Sequence, residues 1–224
     1  MAYTNGNATN YRNLLEVLRD FLVAQDWELV GGQAGAIGVE DFVSLRGPGL
    51  SGNDQILLSL TTHTNVPSAH YCIGISGHTA YAAGAPSATP PGLNSPRVFM
   101  PLINTTVRYW IVANGRRFIM VTRSNSRYDA MYGGFVLPEH LPSDWPYPLL
   151  VGASSTIVQA GSADGVTHSN FWRGPRTAYL FTPEQLWRPF DNVHPYSSDN
   201  NGSEVALANG MLCAADWKTN MGVW

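Results

Sequence analysis

His70 and Cys72 have the best spacing for chemistry in this chain. Two residues apart on an extended segment, they share one face and could ligate one metal, with His63 joining from an adjacent strand. A tetrahedral site needs a further pair, and no C-x-x-C or H-x₃-H supplies it. His78, His140, His168 and His194 add no ligand spacing. For hydrolysis there is no G-x-S-x-G elbow. Asp54, Asp129, Glu139, Asp144, Asp164 and Glu184 are scattered, mostly in turns, where such side chains usually bond local backbone. The Gly-Pro-Gly and Gly-Gly runs lack the Lys-Ser/Thr of a phosphate loop. The pattern therefore predicts no catalytic residue, no metal ligand set, no cofactor and no enzyme. Trp145, Tyr147, Trp172, Trp187 and Tyr196 fall in or beside loops, where rings can stack on sugar faces. Sealing the bases of proline-rich loops is the plainer use of the same rings.

The element that organises the chain is Arg108-Tyr-Trp-Ile-Val-Ala-Asn-Gly-Arg-Arg-Phe-Ile-Met-Val-Thr-Arg123. Two apolar runs flank Asn114-Gly115, the dipeptide that best accepts the positive φ angles of a type I′ turn. A two-residue turn there pairs Ala113 with Arg116, Ile111 with Phe118 and Tyr109 with Met120. The opposite face then carries Trp110, Val112, Ile119 and Val121. Both faces are mostly apolar, so the hairpin must be covered on two sides, by its own domain or by a neighbouring subunit.

Around it, residues 10–26 form the one convincing helix, with Leu14, Leu15, Leu18, Phe21 and Leu22 at three- and four-residue spacing and Thr9 or Asn10 as cap. Arg12, Glu16, Arg19, Asp20 and Asp26 fall mainly on its other side. Strands are expected at 27–30, 42–45, 55–62, within 68–76, and at 97–103, 130–137, 149–152 and 178–182. Gly133-Gly134 marks a bulge or a close backbone approach. A long loop spans 82–96, and the four prolines of 138–148 make a rigid extended connection. Cys72 lies in an apolar strand and reads as a buried thiol. From Arg188 to Ser203 the chain is rich in Pro, Asn, Ser and Asp. The weakly patterned segment after it holds Trp217 and Trp224, which suggests docking, onto a partner or back onto the same domain.

Charged residues are 13% of the chain, well under the roughly 25% of ordinary soluble domains, and aromatics are 11%. Depleted charge with abundant rings describes a turn-rich β protein, and equally a subunit whose surface is covered in an assembly. The net charge of −3 gives no basic footprint for nucleic acid, and Arg116-Arg117, Arg123 and Arg127 are local clusters only. The first residues have neither the basic nor the apolar region of a signal peptide, and no apolar run is long enough to span a membrane.

The order of segments resembles a group of tailed-bacteriophage virion proteins from tail and baseplate gene regions. The matching pieces are Trp27-Glu-Leu, Leu45-Arg-Gly-Pro-Gly-Leu-Ser-Gly-Asn-Asp-Gln-Ile56, Tyr109-Trp-Ile-Val-Ala-Asn-Gly-Arg-Arg117, Tyr128-Asp-Ala-Met-Tyr-Gly-Gly-Phe-Val-Leu-Pro138 and Trp145-Pro-Tyr-Pro-Leu-Leu-Val-Gly152. The similarity covers roughly residues 10–160, and Asn192–Trp224 departs from it. It implies a structural virion component made in a bacterial cytoplasm and carries over no active-site residue.

Together these readings predict a mainly β chain. An antiparallel, sandwich-like domain over 1–187 carries one N-terminal amphipathic helix, and a linker and C-terminal arm follow over 188–224. The expected function is assembly as a tail or baseplate subunit, through contacts with other virion proteins and copies of itself. Trp110, Arg117, Trp217 and Trp224 are the expected partner-interface residues. A receptor-binding or fibre-attachment module that touches a host-surface glycan is the alternative, or a head or neck component. A wall or polysaccharide hydrolase comes third.

Overall fold

The computed structural model describes residues 1–38, 40–65, 70–81, 92–125, 127–137, 143–154 and 177–189. In chain order the elements are β1 (Ala2–Ala8), α1 (Tyr11–Val23), β2 (Glu28–Gly32), β3 (Phe42–Gly47), β4 (Ile56–Asn65), β5 (His70–His78), β6 (Val98–Leu102) and β7 (Val107–Asn114). They continue with β8 (Arg117–Ser124), β9 (Arg127–Phe135), β10 (Leu149–Ala153), β11 (Thr177–Phe181) and β12 (Trp187–Pro189). Two sheets form, one of seven strands in the order β1-β7-β8-β9-β10-β11-β12 and one of five in the order β2-β3-β4-β5-β6. Their strand pairings are antiparallel, and their inner faces close on a shared core. The mainly β, sandwich-like expectation therefore holds. Most of the C-terminal arm, from residue 190 on, lies outside the described residues, as do Trp217 and Trp224.

The core follows from period-two alternation. Tyr109, Ile111 and Ala113 of β7 and Phe118 and Met120 of β8 point inward, against Leu58 and Leu60 of β4, Ile73 and Ile75 of β5, and Met100 of β6. Helix α1 adds Leu14, Leu15, Leu18 and Leu22 to the same cluster, all fully buried. Asn10 caps it, its side-chain oxygen accepting from the N–H groups of Arg12 and Asn13 at 3.0 Å each. Arg19 departs from the expected polar side. It is buried, and its Nη1 donates to the carbonyls of Gln33 and Gly35, tying the helix to the segment after β2. Cys72 is buried, as expected.

The hairpin forms one residue later than Asn114-Gly115 predicts. Asn114 pairs with Arg117, Ala113 with Phe118, Ile111 with Met120 and Tyr109 with Thr122. The two loop residues are thus Gly115 and Arg116, and neither has positive φ, so the turn is not type I′. The cause is local. The Asn114 side-chain oxygen accepts from the N–H groups of Arg116 and Arg117, which makes Asn114 the first residue of the turn and not its centre. The tip is also docked. The Gly115 carbonyl accepts from the Gly49 N–H at 2.7 Å, and the Asn114 carbonyl from the Trp27 indole at 2.8 Å. Glycine is needed at 115 because a Cβ there would strike the Gly49 carbonyl oxygen. The assignment of residues to the two faces survives, since the register changes by an even step.

Gly133 and Gly134 are the close approach expected. Gly134 sits at φ 137°, and a side chain on Gly133 would meet Ile75, Leu58 and Phe118 at 2.8 Å, between the two sheets. Strand β1 was not foreseen. Its Ala-Tyr-Thr-Asn-Gly-Asn-Ala sequence carries no apolar alternation, and it pairs along the whole edge of β7.

Candidate protein interface

Register fixes which side chains share the outer face of the seven-stranded sheet. One cross-strand row is Tyr3, Val112, Ile119 and Tyr132, and the next is Asn5, Trp110, Val121 and Ala130. The third is Asn7, Arg108, Arg123 and Tyr128. Tyr3 is 58% exposed, Ile119 44% and Tyr128 50%. Trp110, Val112, Val121 and Tyr132 are half-buried and join neither the core between the sheets nor the small cluster of Leu150, Leu180 and Trp145 farther along this face. A contiguous apolar and aromatic surface on a rigid sheet has the make-up of an interface core.

Four of these side chains form a ladder. The Arg108 guanidinium lies 5.5 Å from the centre of the Trp110 ring, and Trp110 stacks on Tyr128 at 6.1 Å and 29°. Arg123 closes the other end, 5.7 Å from the Tyr128 ring. Arg108 also donates to the Asn5 side-chain oxygen at 2.8 Å, and Arg123 Nε to the Asn125 carbonyl. These bonds hold the guanidiniums beside the rings, so less side-chain entropy is left to lose on binding. No strand position on this face holds Asp or Glu. Arg117 lies on the same face, half-buried beside Tyr132. Burial raises the Tyr132 pKa, and Arg117 opposes that shift. Of the expected interface residues, Trp110 and Arg117 thus share one face. Alternation placed Trp110 on the face opposite Tyr109 and Ile111, but the ladder needs the β8–β9 register that sets Tyr128 beside Arg123, which no local spacing reveals.

The metal pair is placed differently. His63 faces Cys72 across β4 and β5, and Asn65 faces His70, all on the outer face of the five-stranded sheet. His63 turns to Arg97, with Nε2 3.3 Å from the guanidinium, and packs edge-on against Phe99. Burial, aided by the Arg97 charge, lowers its pKa to about 4. Among the described residues no group of three or more His, Cys, Asp or Glu could hold a metal ion. On the same face His78 links Ser76, at 3.2 Å, to Asn94, at 2.8 Å. The order of nucleophile, base and orienting group is there, but Ser76 and His78 are buried, which leaves a substrate no approach. His140, His168 and His194 lie outside the described residues.

A cleft of about 240 Å³ opens between Trp145, Tyr147, Phe181, Thr79 and Gln185. Its rings are committed inward. Trp145 Nε1 donates to the Phe181 carbonyl, Tyr147 donates to the His78 carbonyl, and Tyr147 meets Phe135 and Phe181 edge-on. They seal a loop base. Trp172 and Tyr196 lie outside the described residues. No protein-family model matches the chain, and no curated protein sequence matches it.

Proposed function

We propose that this chain is a structural subunit of a bacteriophage tail or baseplate, joined to other virion proteins and to copies of itself through the outer face of its seven-stranded sheet. The observation that carries the reading is the partly exposed ladder Arg108–Trp110–Tyr128–Arg123, flanked by Tyr3, Val112, Ile119 and Val121. Both faces of the hairpin are apolar, and only the inner one is covered by the two-sheet core. Covering the outer face removes apolar area from water, about 25 cal/mol for each Å². Trp, Tyr and Arg are the residue types that dominate interface energetics. The sequence resemblance to tail and baseplate proteins supplies the virion setting, with synthesis in the host cytoplasm. In this reading the chain works by contact and is no enzyme, and it needs neither metal nor cofactor. Nucleic acid is not its partner, since the net charge is negative.

The test is incorporation of Trp110→Ala/Tyr128→Ala into particles. The expected result is a variant that folds with nearly unchanged stability and is lost from the assembled virion. Normal incorporation would overturn the reading.

A further inference from the structure

We propose that the partner on this face is a second copy of the same chain, docked head to tail through its acidic α1–β2–β3 side. The inference rests on the assembly reading above and adds the occupant and its geometry.

Charge is divided sharply along the chain. Residues 97–127 contain six Arg and no Asp or Glu, whereas residues 11–54 contain seven Asp and Glu against three Arg. The fold keeps these stretches on different sides. Arg108, Arg117 and Arg123 lie on the outer face of the seven-stranded sheet, away from the core. Helix α1, β2 and β3 lie beneath that sheet's inner face or in the opposing sheet. On that acidic side Asp20, Asp26, Glu28 and Glu40 are exposed. Asp20 is paired with Arg19 and Glu28 with Arg46, while Asp26 and Glu40 have no ion-pair partner among the described residues.

A two-fold pairing of the arginine face with itself brings no carboxylate from a strand position to the contact, so the guanidiniums find no strand-borne ion-pair partner across it. Docking onto the acidic side of the next copy supplies carboxylates for the guanidiniums while the rings are buried. Such a contact joins two different patches, so it repeats from copy to copy. It closes into a ring if the rotation permits and otherwise extends as a filament.

The experiment uses the full chain and sedimentation. The wild-type chain should associate beyond a dimer at low ionic strength and dissociate near about 1 M salt, where the Debye length is ~3 Å. Arg108→Glu/Arg123→Glu removes the face and should weaken association roughly a hundredfold or more. Asp26→Asn/Glu40→Asn removes acidic charge and keeps a residue type that tolerates the left-handed backbone of both positions, at φ 65° and 60°. It should weaken association about tenfold. Melting midpoints check that both variants fold. Mixed together, they should form a capped one-to-one complex, because each still holds the half the other lacks. A monomeric wild-type chain, or a mixture that stays monomeric while the wild type associates, overturns the proposal. If the chain is monomeric yet Trp110→Ala/Tyr128→Ala is lost from particles, the second-copy inference fails and the assembly reading stands. If that variant also incorporates normally, both fail.

Discussion

The outer faces of the two sheets reverse the usual arrangement. On the seven-stranded sheet, Tyr3, Trp110, Ile119 and Tyr128 are apolar or aromatic and stand at least partly in water. On the five-stranded sheet the outward positions are Ser44, Ser59, Thr61, Ser76 and His78, and these are buried. The buried polar face is tolerated because its members largely satisfy one another. Ser44 and Ser59 share a hydrogen bond of 2.8 Å, and Ser76, His78 and Asn94 form a chain. Among the described residues nothing covers Tyr3, Ile119 and Tyr128 of the apolar face, so they gain when something does. The contrast teaches that side-chain polarity alone does not separate inside from outside.

The largest effect should come from the core that both faces share. Trp27→Ala empties a buried site packed edge-on against Phe118 and cuts the bond to the Asn114 carbonyl. A loss of about 3–5 kcal/mol is expected in denaturant unfolding. A loss below about 1 kcal/mol would mean the hairpin tip is not anchored there.

Gly115→Val comes next, at roughly 1–3 kcal/mol, and sharpens the account of the turn. Gly115→Ala should already destabilise, because the clash is with the Gly49 carbonyl and begins at Cβ. A neutral Gly115→Ala would mean that the docking of residues 48–49 on the tip is wrong.

The polar face should declare itself through pH. The folded pKa of His63 is depressed to about 4, below the ordinary 6.5, by burial first and by Arg97 second. Between those values the unfolded chain binds the proton and the folded chain does not. Stability is therefore full above pH 6.5 and falls as pH drops toward 4. Replacing His63 by Gln should flatten that slope in thermal melts. A residual slope is expected from His78, whose pKa burial also lowers. An unchanged slope would remove His63 from the buried face.

The smallest stability effect belongs to the apolar face. Trp110→Ala should change folding stability by less than about 1 kcal/mol, because the ring packs on Arg108 and Tyr128 and not into the core. A loss comparable to that of Trp27→Ala would make the face structural and break the comparison.

Much of the fold was legible in local pattern. The leucine spacing located α1, and alternation put Tyr109, Ile111 and Phe118 on one face of the hairpin and Trp110, Val112 and Ile119 on the other, while leaving open which face meets the core. What stayed hidden depends on pairing between distant segments. Strand β1 is polar and gains its structure from the edge of β7. The turn moved because the Asn114 side chain bonds forward, a choice the Asn-Gly dipeptide leaves open. Arg19 looked solvent-facing, yet two carbonyls from the segment after β2 draw it inward. The ladder needed Tyr128 beside Arg123, a register no window of sequence contains.

On the proposed function, the outer face of the seven-stranded sheet is covered in the assembled particle. Oxidative footprinting of Trp110 and Tyr128 tests it most directly, comparing the isolated chain with intact virions. Both rings should react in the isolated chain and become protected on assembly, while the partly buried Phe99 on the other sheet should react alike in both. Equal reactivity of Trp110 and Tyr128 in the two states would contradict it.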